Sequence, residues 1–464
     1  MSELEAPCDI AADLDTPVSA YLKLHELQPR FLLESVEGGE RLARYSFIGF
    51  GDALEVRMDD EFLHFNGERE ARPASQREYL DALRSALAQA PRPGPEVDGL
   101  PFAGGLVGVS GYDVVRLFER LPRSVEVQPN IPDAAFVAPA SLLVFDHLTR
   151  RVALLHDGPE AVRQALRSEV IRCLRGPVPN GNGAVEISPA EASFTEAEFR
   201  ERVEACKEYI AAGDIYQIVI SVLFKGRSNV APFEVYRALR LLNPSPYMFF
   251  LEFGDLRVVG SSPEALVKLN GPTASLRPIA GTLPRGETPE EDRANEAALL
   301  ADPKEAAEHV MLVDLARNDL GRVAAAGTVQ VDPYRAIERY SHVMHIVSGV
   351  KGELAKGCDQ FDLFAASFPA GTLVGAPKVR AMEIIEEMEN VSRGLYGGTA
   401  GYFGLSGDMD QAITIRTLVF SGDEYSFQAG AGIVADSVPA NEYREVLAKS
   451  AILRRALEIA GEGL

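Results

Sequence analysis

The sequence predicts an α+β fold, on three observations. Long runs of β-like segments follow one another without an intervening helix, which favours segregated strands and helices over βαβ alternation. The chain has 464 residues, room for two or three ordinary domains. Its composition, 46% hydrophobic and 25% charged, is that of a soluble globular chain with a large core.

Taken in order, β-like runs are FIGFGDALEVRM (47–58), FAGGLVGVSGYDVV (102–115) and ASLLVFDHLTRRVALLH (140–156), with a helix predicted over 76–90. Residues 175–199 collect Pro, Gly and Asn with no apolar period and read as a linker. It ends at Thr195, an N-cap with Glu198 at capping-box spacing. The helix that follows, about 196–212, stops at Gly213, a common C-terminal residue. Further strands are predicted in IYQIVISVLF (215–224), YMFFLEFGDLRVVGSS (247–262), GTAGYFGLS (398–406) and QAITIRTLVFSG (411–422). Helices are predicted near 290–316, 359–367, 377–389 and 440–461. RPIAGTLPRG (277–286) reads as a strand end turning into a loop, with Thr282 and Arg285 placed to meet an anion and only a methyl group, Ala280, between.

The net charge of −22 argues against nucleic acid and anionic membranes as partners. Four scattered cysteines (Cys8, Cys173, Cys206, Cys358), none paired at metal-ligand spacing, indicate a reducing compartment. No run approaches the ~18 apolar residues of a membrane span, and MSELEAPCD is too acidic for a signal peptide. A cytoplasmic protein is expected.

Two helices carry acid pairs. Glu305 and Glu308 are three residues apart, as are Glu442 and Glu445, with Lys449 one turn further on nearly the same stripe. Each pair alone reads as a solvated helix face. Four carboxylates converging from two helices would suit Mg²⁺, which takes oxygen ligands and leaves positions for water and substrate. His342 and His345 lie in an apolar run, where a histidine is more often a satisfied core or rim residue than a catalyst, and no zinc motif is present. The glycine-rich turns at 368–378, 396–402 and 427–437 are not phosphate loops, but backbone N–H groups freed by glycine can cradle a carboxylate. Arg416, a cation in an apolar run, needs an anionic partner.

These segments, in this order, resemble the chorismate-utilising enzymes, and within them the large subunits of anthranilate synthase. The resemblance runs from FLLESVEGGERLARYSFIGF (31–50) through GDIYQ, NPSPYMFFLEF, VVGSSPE, PIAGTLPRG, EHVMLVDLARNDLGRV, FPAGTLVGAPKVRAMEII and AITIRT to AGAGIVADSVPANEYRE. It implies two large, mostly antiparallel sheets packed together with helices outside, and chorismate bound with Mg²⁺ between them. Residues 1–188 would form an N-terminal region with tryptophan-feedback elements and residues 189–464 the catalytic region.

Carried over by position, Glu308 and Glu445 resemble the metal ligands, with Glu305 and Glu442 close by or acting through water. Thr372, Tyr396, Arg416, Gly430, Gly432 and Lys449 resemble the holders of the substrate carboxylates. Glu264 resembles the general acid that assists loss of the ring hydroxyl, and His345 the histidine that moves a proton during pyruvate elimination. Relatives that add water keep a lysine base at the place of Gln217, and many para-directing relatives keep a lysine nucleophile at the place of Ala280, beside Thr282. This chain lacks both, as expected if ammonia itself attacks directly. The resemblance therefore implies conversion of chorismate and ammonia to anthranilate and pyruvate. The ammonia would come from a separate glutamine amidotransferase subunit in a heterotetramer. It also implies a tryptophan pocket at Glu34, Ser35, Pro246, Tyr247 and Met248. The para-aminobenzoate branch stays open as the alternative, because GTLPRG occurs there too and Leu283 stands where arginine is frequent.

Overall fold

The computed structural model describes residues 7–11, 13–35, 44–179, 185–339 and 343–464. Within them, 21 strands join in one continuous hydrogen-bonded network and three more form a small separate sheet. Every strand pairing is antiparallel; among the described residues a single isolated bridge, Glu126 to Val391, runs parallel.

Alternation along the strands explains the layering. Leu32, Ile48, Phe136 and Phe250 share a core with helix residues Leu80, Val203, Tyr236 and Leu453. Their chain neighbours Phe31, Phe47, Val137 and Phe249 instead pack on residues of other strands and of the loops between them. One face of the network is thus covered by helices and the other by the network itself. The two packed layers expected from the resemblance are formed by one sheet that curls back, bent where Tyr45–Met58 bulges between Phe50 and Ala53 against Ala134–Asp146. Strands on either side of residue 188 pair directly, Met248 with Glu34 and Thr399 with Ser110.

Helices Gln76–Gln89, Glu196–Ala212, Gln360–Ser367, Lys378–Met388 and Pro439–Glu462 lie where the sequence places them. The Thr195–Glu198 capping box is present, and Gly213 closes its helix in the left-handed conformation. Three expectations need correction. The helix expected over 290–316 is two, Pro289–Ala301 and Pro303–Gly321, because Pro303 has no N–H to continue the first and Asp302 caps the second. The run 411–422 is also two strands, Met409–Ile413 and Thr417–Ser421. Arg416 lies between them with φ +49°. RPIAGTLPRG does not end a strand: Ile279–Pro284 is one, bulged at Gly281, whose φ is +67°. Arg285 then pairs with Asp292 at 2.5 Å, tying the strand to the next helix instead of presenting a cation to a ligand.

Candidate active site

The floor of the site is the pair of strands Gln217–Arg227 and Glu424–Ile433, in register Val219 to Gly432 and Ser221 to Gly430. The two-residue period sends Ile218, Ile220, Ala431 and Ile433 into the helix-covered core. Gln217, Val219, Gln428, Gly430 and Gly432 line a cavity of about 350 Å³. Crowding requires glycine at 430, where main chain stands close, and less strictly at 432, where only a side-chain end does. A Cβ on Gly430 would stand 2.7 Å from the Tyr396 hydroxyl and 2.8 Å from the Ile220 carbonyl, and one on Gly432 would stand 3.0 Å from the Gln217 amide nitrogen.

Two helices supply the acidic wall. In Pro439–Glu462, Val446, Ser450, Leu453 and Leu457 are buried, which turns Glu442, Glu445 and Lys449 toward the cavity rim. The Lys449 ammonium donates to the Gly430 carbonyl at 3.0 Å and pairs with Glu445 at 2.7 Å. In Pro303–Gly321, Lys304 and Glu308 stand one turn apart and both line the cavity. Burial, then the charges of Glu305 and Glu445, hold the Glu308 carboxyl above its ordinary range. Burial and Glu445 do the same to Glu442, partly opposed by a hydrogen bond from Ser437. Oxygen donors whose mutual repulsion raises their affinity for positive charge suit a hard divalent cation. No three of these carboxylates bring ligand atoms within 4.8 Å of one another; among the described residues only Glu26, Glu169 and Cys173 do so. That group is remote and bridged by the Arg172 guanidinium.

Glu264 follows the strand Leu256–Ser262, and its carbonyl accepts the Ile413 N–H at 3.0 Å. Its carboxyl lines the cavity and accepts from the Thr372 hydroxyl at 3.0 Å. Burial pushes its pKa up to about 7, against that hydrogen bond and the charge of Lys449. Tyr396 and Arg416 complete the wall. The Arg416 guanidinium donates to the Asn243 side-chain oxygen at 3.4 Å, and its carbonyl accepts from the Ser261 N–H at 3.1 Å.

Four of the residues singled out for catalysis, substrate or metal do not line this cavity. Ala280, Thr282 and His345 belong to the small sheet of Ile279–Pro284, Ala336–Arg339 and Val343–Val347, and Ala280 is buried there. His345 Nδ1 donates to the Gly281 carbonyl at 2.9 Å and meets the Thr282 hydroxyl at 3.0 Å. A carbonyl only accepts, so Nδ1 carries the proton and Nε2 the lone pair. Burial lowers the His345 pKa, the Gly281 bond opposes that, and the charge of Arg416 adds to it, which favours the neutral imidazole. Glu305 turns toward this sheet, its Oε2 lying 2.9 Å from where a Gly281 Cβ would stand. His342 lies outside the described residues. Sequence reasoning missed Lys304, Gln428 and Ser437, all of which line the cavity. Lys304 is one helical turn before Glu308 and Gln428 two strand positions before Gly430, so periodicity alone could have added them.

A second cavity, of about 260 Å³, is lined by Glu34, Ser35, Pro246, Tyr247 and Met248 together with Lys268 and Asp410. The Glu34 carboxylate is engaged elsewhere, accepting from the Tyr236 hydroxyl at 2.5 Å and from Arg240 at 3.0 and 3.3 Å. Lys268 and Asp410 pair at 2.9 Å. Among the described residues, no helix is long and apolar enough to cross a membrane.

The sequence signature of the chorismate binding enzyme family matches residues 28–455. The chain is 46% identical to anthranilate synthase component 1 of Thermus thermophilus, over 98% of this chain and 97% of that one. It is 44% identical to the protein of that name from Neisseria meningitidis, over 98% and 95%. Anthranilate synthase component I from Streptococcus pneumoniae superposes with a TM-score of 0.80 at 36% identity, covering 96% of this chain and 99% of that one. The isochorismate synthase MenF from Escherichia coli shares the fold, with a TM-score of 0.70 at 20% identity over 96% and 92% of the two chains. Likeness of this extent, in sequence and in fold, places the chain in the chorismate binding enzyme family.

Proposed function

We propose that the chain is the synthase component of an anthranilate synthase, a lyase that converts chorismate and ammonia to anthranilate, pyruvate and water. The observation that carries this reading is the meeting of Glu308, Glu442 and Glu445 with Glu264, Arg416 and Lys449 around one cavity of about 350 Å³. Arg416, Lys449, the Thr372 and Tyr396 hydroxyls and the backbone at Gly430 and Gly432 hold the two carboxylates of chorismate. Glu308 and Glu445, with Glu442 and Glu305 nearby, hold Mg²⁺, which supplies charge neutralisation and orientation of the ring carboxylate when bound.

Glu264, protonated to a useful extent near neutral pH, gives its proton to the departing ring hydroxyl as ammonia bonds to the carbon next to the one that carries the ring carboxylate and the ring double bonds shift between the two positions. The neutral lone pair of His345 Nε2 then takes the ring proton during loss of pyruvate, which restores aromaticity. Gln217 leaves the floor, and Ala280 the adjoining small sheet, without a lysine that could activate water or attack the ring itself.

Ammonia comes from a separate glutaminase partner in a heterotetramer. All four cysteine thiols are shifted upward with burial as the largest cause, that of Cys206 to about 12, so none resembles the activated thiolate that glutamine hydrolysis needs. The second cavity takes tryptophan as a feedback inhibitor, on elements drawn from both residues 1–188 and residues 189–464. The assignment is tested by incubating the purified chain with chorismate, Mg²⁺ and an ammonium salt and separating the aminobenzoates. The ortho isomer is expected; the para isomer would move the chain to the aminodeoxychorismate branch, and no turnover would end the enzymatic reading.

A further inference from the structure

Gln428 lines the main cavity and is 95% buried. Its orientation is dictated by a chain of partners that begins at a buried ion pair. Arg393 and Glu389 are almost wholly enclosed and joined by two bonds, Nε to Oε2 at 3.0 Å and Nη2 to Oε1 at 2.7 Å. The same guanidinium donates to the carbonyls of Leu373 at 2.7 Å and Val219 at 2.8 Å, so it is locked from several sides. Glu389 Oε1 accepts from the Ser221 hydroxyl at 2.7 Å. A carboxylate paired with arginine only accepts, so the single hydroxyl proton of Ser221 is committed to it. Gln428 approaches the same hydroxyl oxygen at 2.8 Å and must therefore bring its amide NH₂ to it. Its carbonyl oxygen Oε1 is left as a fixed acceptor, and among the described residues no donor reaches it.

A buried acceptor without a donor is costly, roughly 1–3 kcal/mol, and calls for an explanation. Gln428 also lines a small void of about 20 Å³, shared with Tyr396, Thr414 and Ser426, that adjoins the main cavity. That is enough for one molecule the size of water or ammonia and too little for anything larger. Tyr396 and Gln428 belong to both walls, so a molecule held between them borders the substrate site.

Resting on the proposed ammonia-dependent reaction, we propose that Gln428 positions the nitrogen nucleophile. Its Oε1, enclosed in the resting structure, accepts one N–H of ammonia when a small movement of the neighbouring side chains opens it toward the junction of the void and the cavity. Ammonia held by donation keeps its only lone pair free, and that pair forms the new C–N bond while the protonated ring hydroxyl leaves as water. The relay Arg393–Glu389–Ser221 gives the site its direction, since a rotated amide would offer N–H groups to a molecule that must be held as a donor.

The test is steady-state kinetics with ammonium salt as nitrogen source, varying free ammonia and chorismate separately. Gln428→Leu, which keeps the volume and removes the acceptor, is expected to raise the KM for ammonia at least tenfold and to leave that for chorismate within twofold. Ser221→Ala releases the amide to rotate and is expected to raise the ammonia KM by a smaller factor. Gln428→Glu, which retains an acceptor oxygen, is expected to recover part of the loss. A merely structural role would raise both KM values together or lower thermal stability with no split, and either result overturns the inference, as does an unchanged ammonia KM in Gln428→Leu. If the parent chain itself forms no aminobenzoate, the proposed function fails first; if it does and the split is absent, this inference fails alone.

Discussion

Glu264 shows how a single side chain sets a pH window. Its acidic form is populated below about pH 7 and is lost as pH rises through that value. If it protonates the leaving hydroxyl, turnover at constant free ammonia should be level on the acid side and fall above about pH 7. Glu264→Gln should cut kcat by about 10²–10⁴-fold and abolish that limb. Thr372 donates to the carboxyl and favours its charged form. Thr372→Val should therefore move the falling limb to higher pH, whatever it costs in chorismate affinity. A pH–rate profile at fixed free ammonia checks both, with circular dichroism as the control for folding. A limb that stays in place in Glu264→Gln would assign the acid to another group.

At the scale of elements, the site depends on close approach. Gly430→Ala would drive a methyl group into the Tyr396 hydroxyl and the Ile220 carbonyl, one of them main chain that cannot yield. Overpacking of this kind costs about 1–3 kcal/mol, and a urea titration should show it as a shift in midpoint with unchanged slope, together with a raised chorismate KM. The Arg393–Glu389 pair links the end of Lys378–Met388 to the floor strand and to the Leu373 turn. Removing one partner, as in Arg393→Met, should cost about 3–5 kcal/mol. Adding Glu389→Met to it should return most of that stability, since no buried charge is then left alone. Helix periods and caps made these helices legible in the sequence, down to the Thr195–Glu198 box. The break at Asp302–Pro303 was readable as well, from an N-capping aspartate followed by a proline without an N–H. Arg416 was not readable as a bend, because its flanks alternate like a strand while its backbone turns left-handed to aim the guanidinium. The cavity itself joins residues from Gln217 to Lys449 through pairings such as Val219 with Gly432. No local pattern encodes such register, so the convergence of the acids was reached only through resemblance to a family.

Across the whole molecule, the two cavities share one sheet. The strand Tyr247–Phe253 borders the second cavity and pairs with Leu256–Ser262, which pairs in turn with Thr417–Ser421, directly after Arg416. Asn243, four residues before Tyr247, also accepts from the Arg416 guanidinium and donates to the Ser261 hydroxyl at 2.8 Å. A ligand that shifts Pro246 and Tyr247 is thus mechanically close to a group proposed to hold a substrate carboxylate. If tryptophan acts here, calorimetry should find one site per chain, and Tyr247→Ala should weaken it at least tenfold while the rate without tryptophan changes less than twofold. The coupling must also be reciprocal in binding. Whatever factor tryptophan adds to the dissociation constant of chorismate, chorismate must add to that of tryptophan. Measuring the second with the catalytically disabled Glu264→Gln variant avoids turnover and isolates the binding term. A factor well above one would tie the second cavity to the substrate site, whereas tryptophan binding that ignores chorismate would leave the second cavity a ligand site without regulatory force.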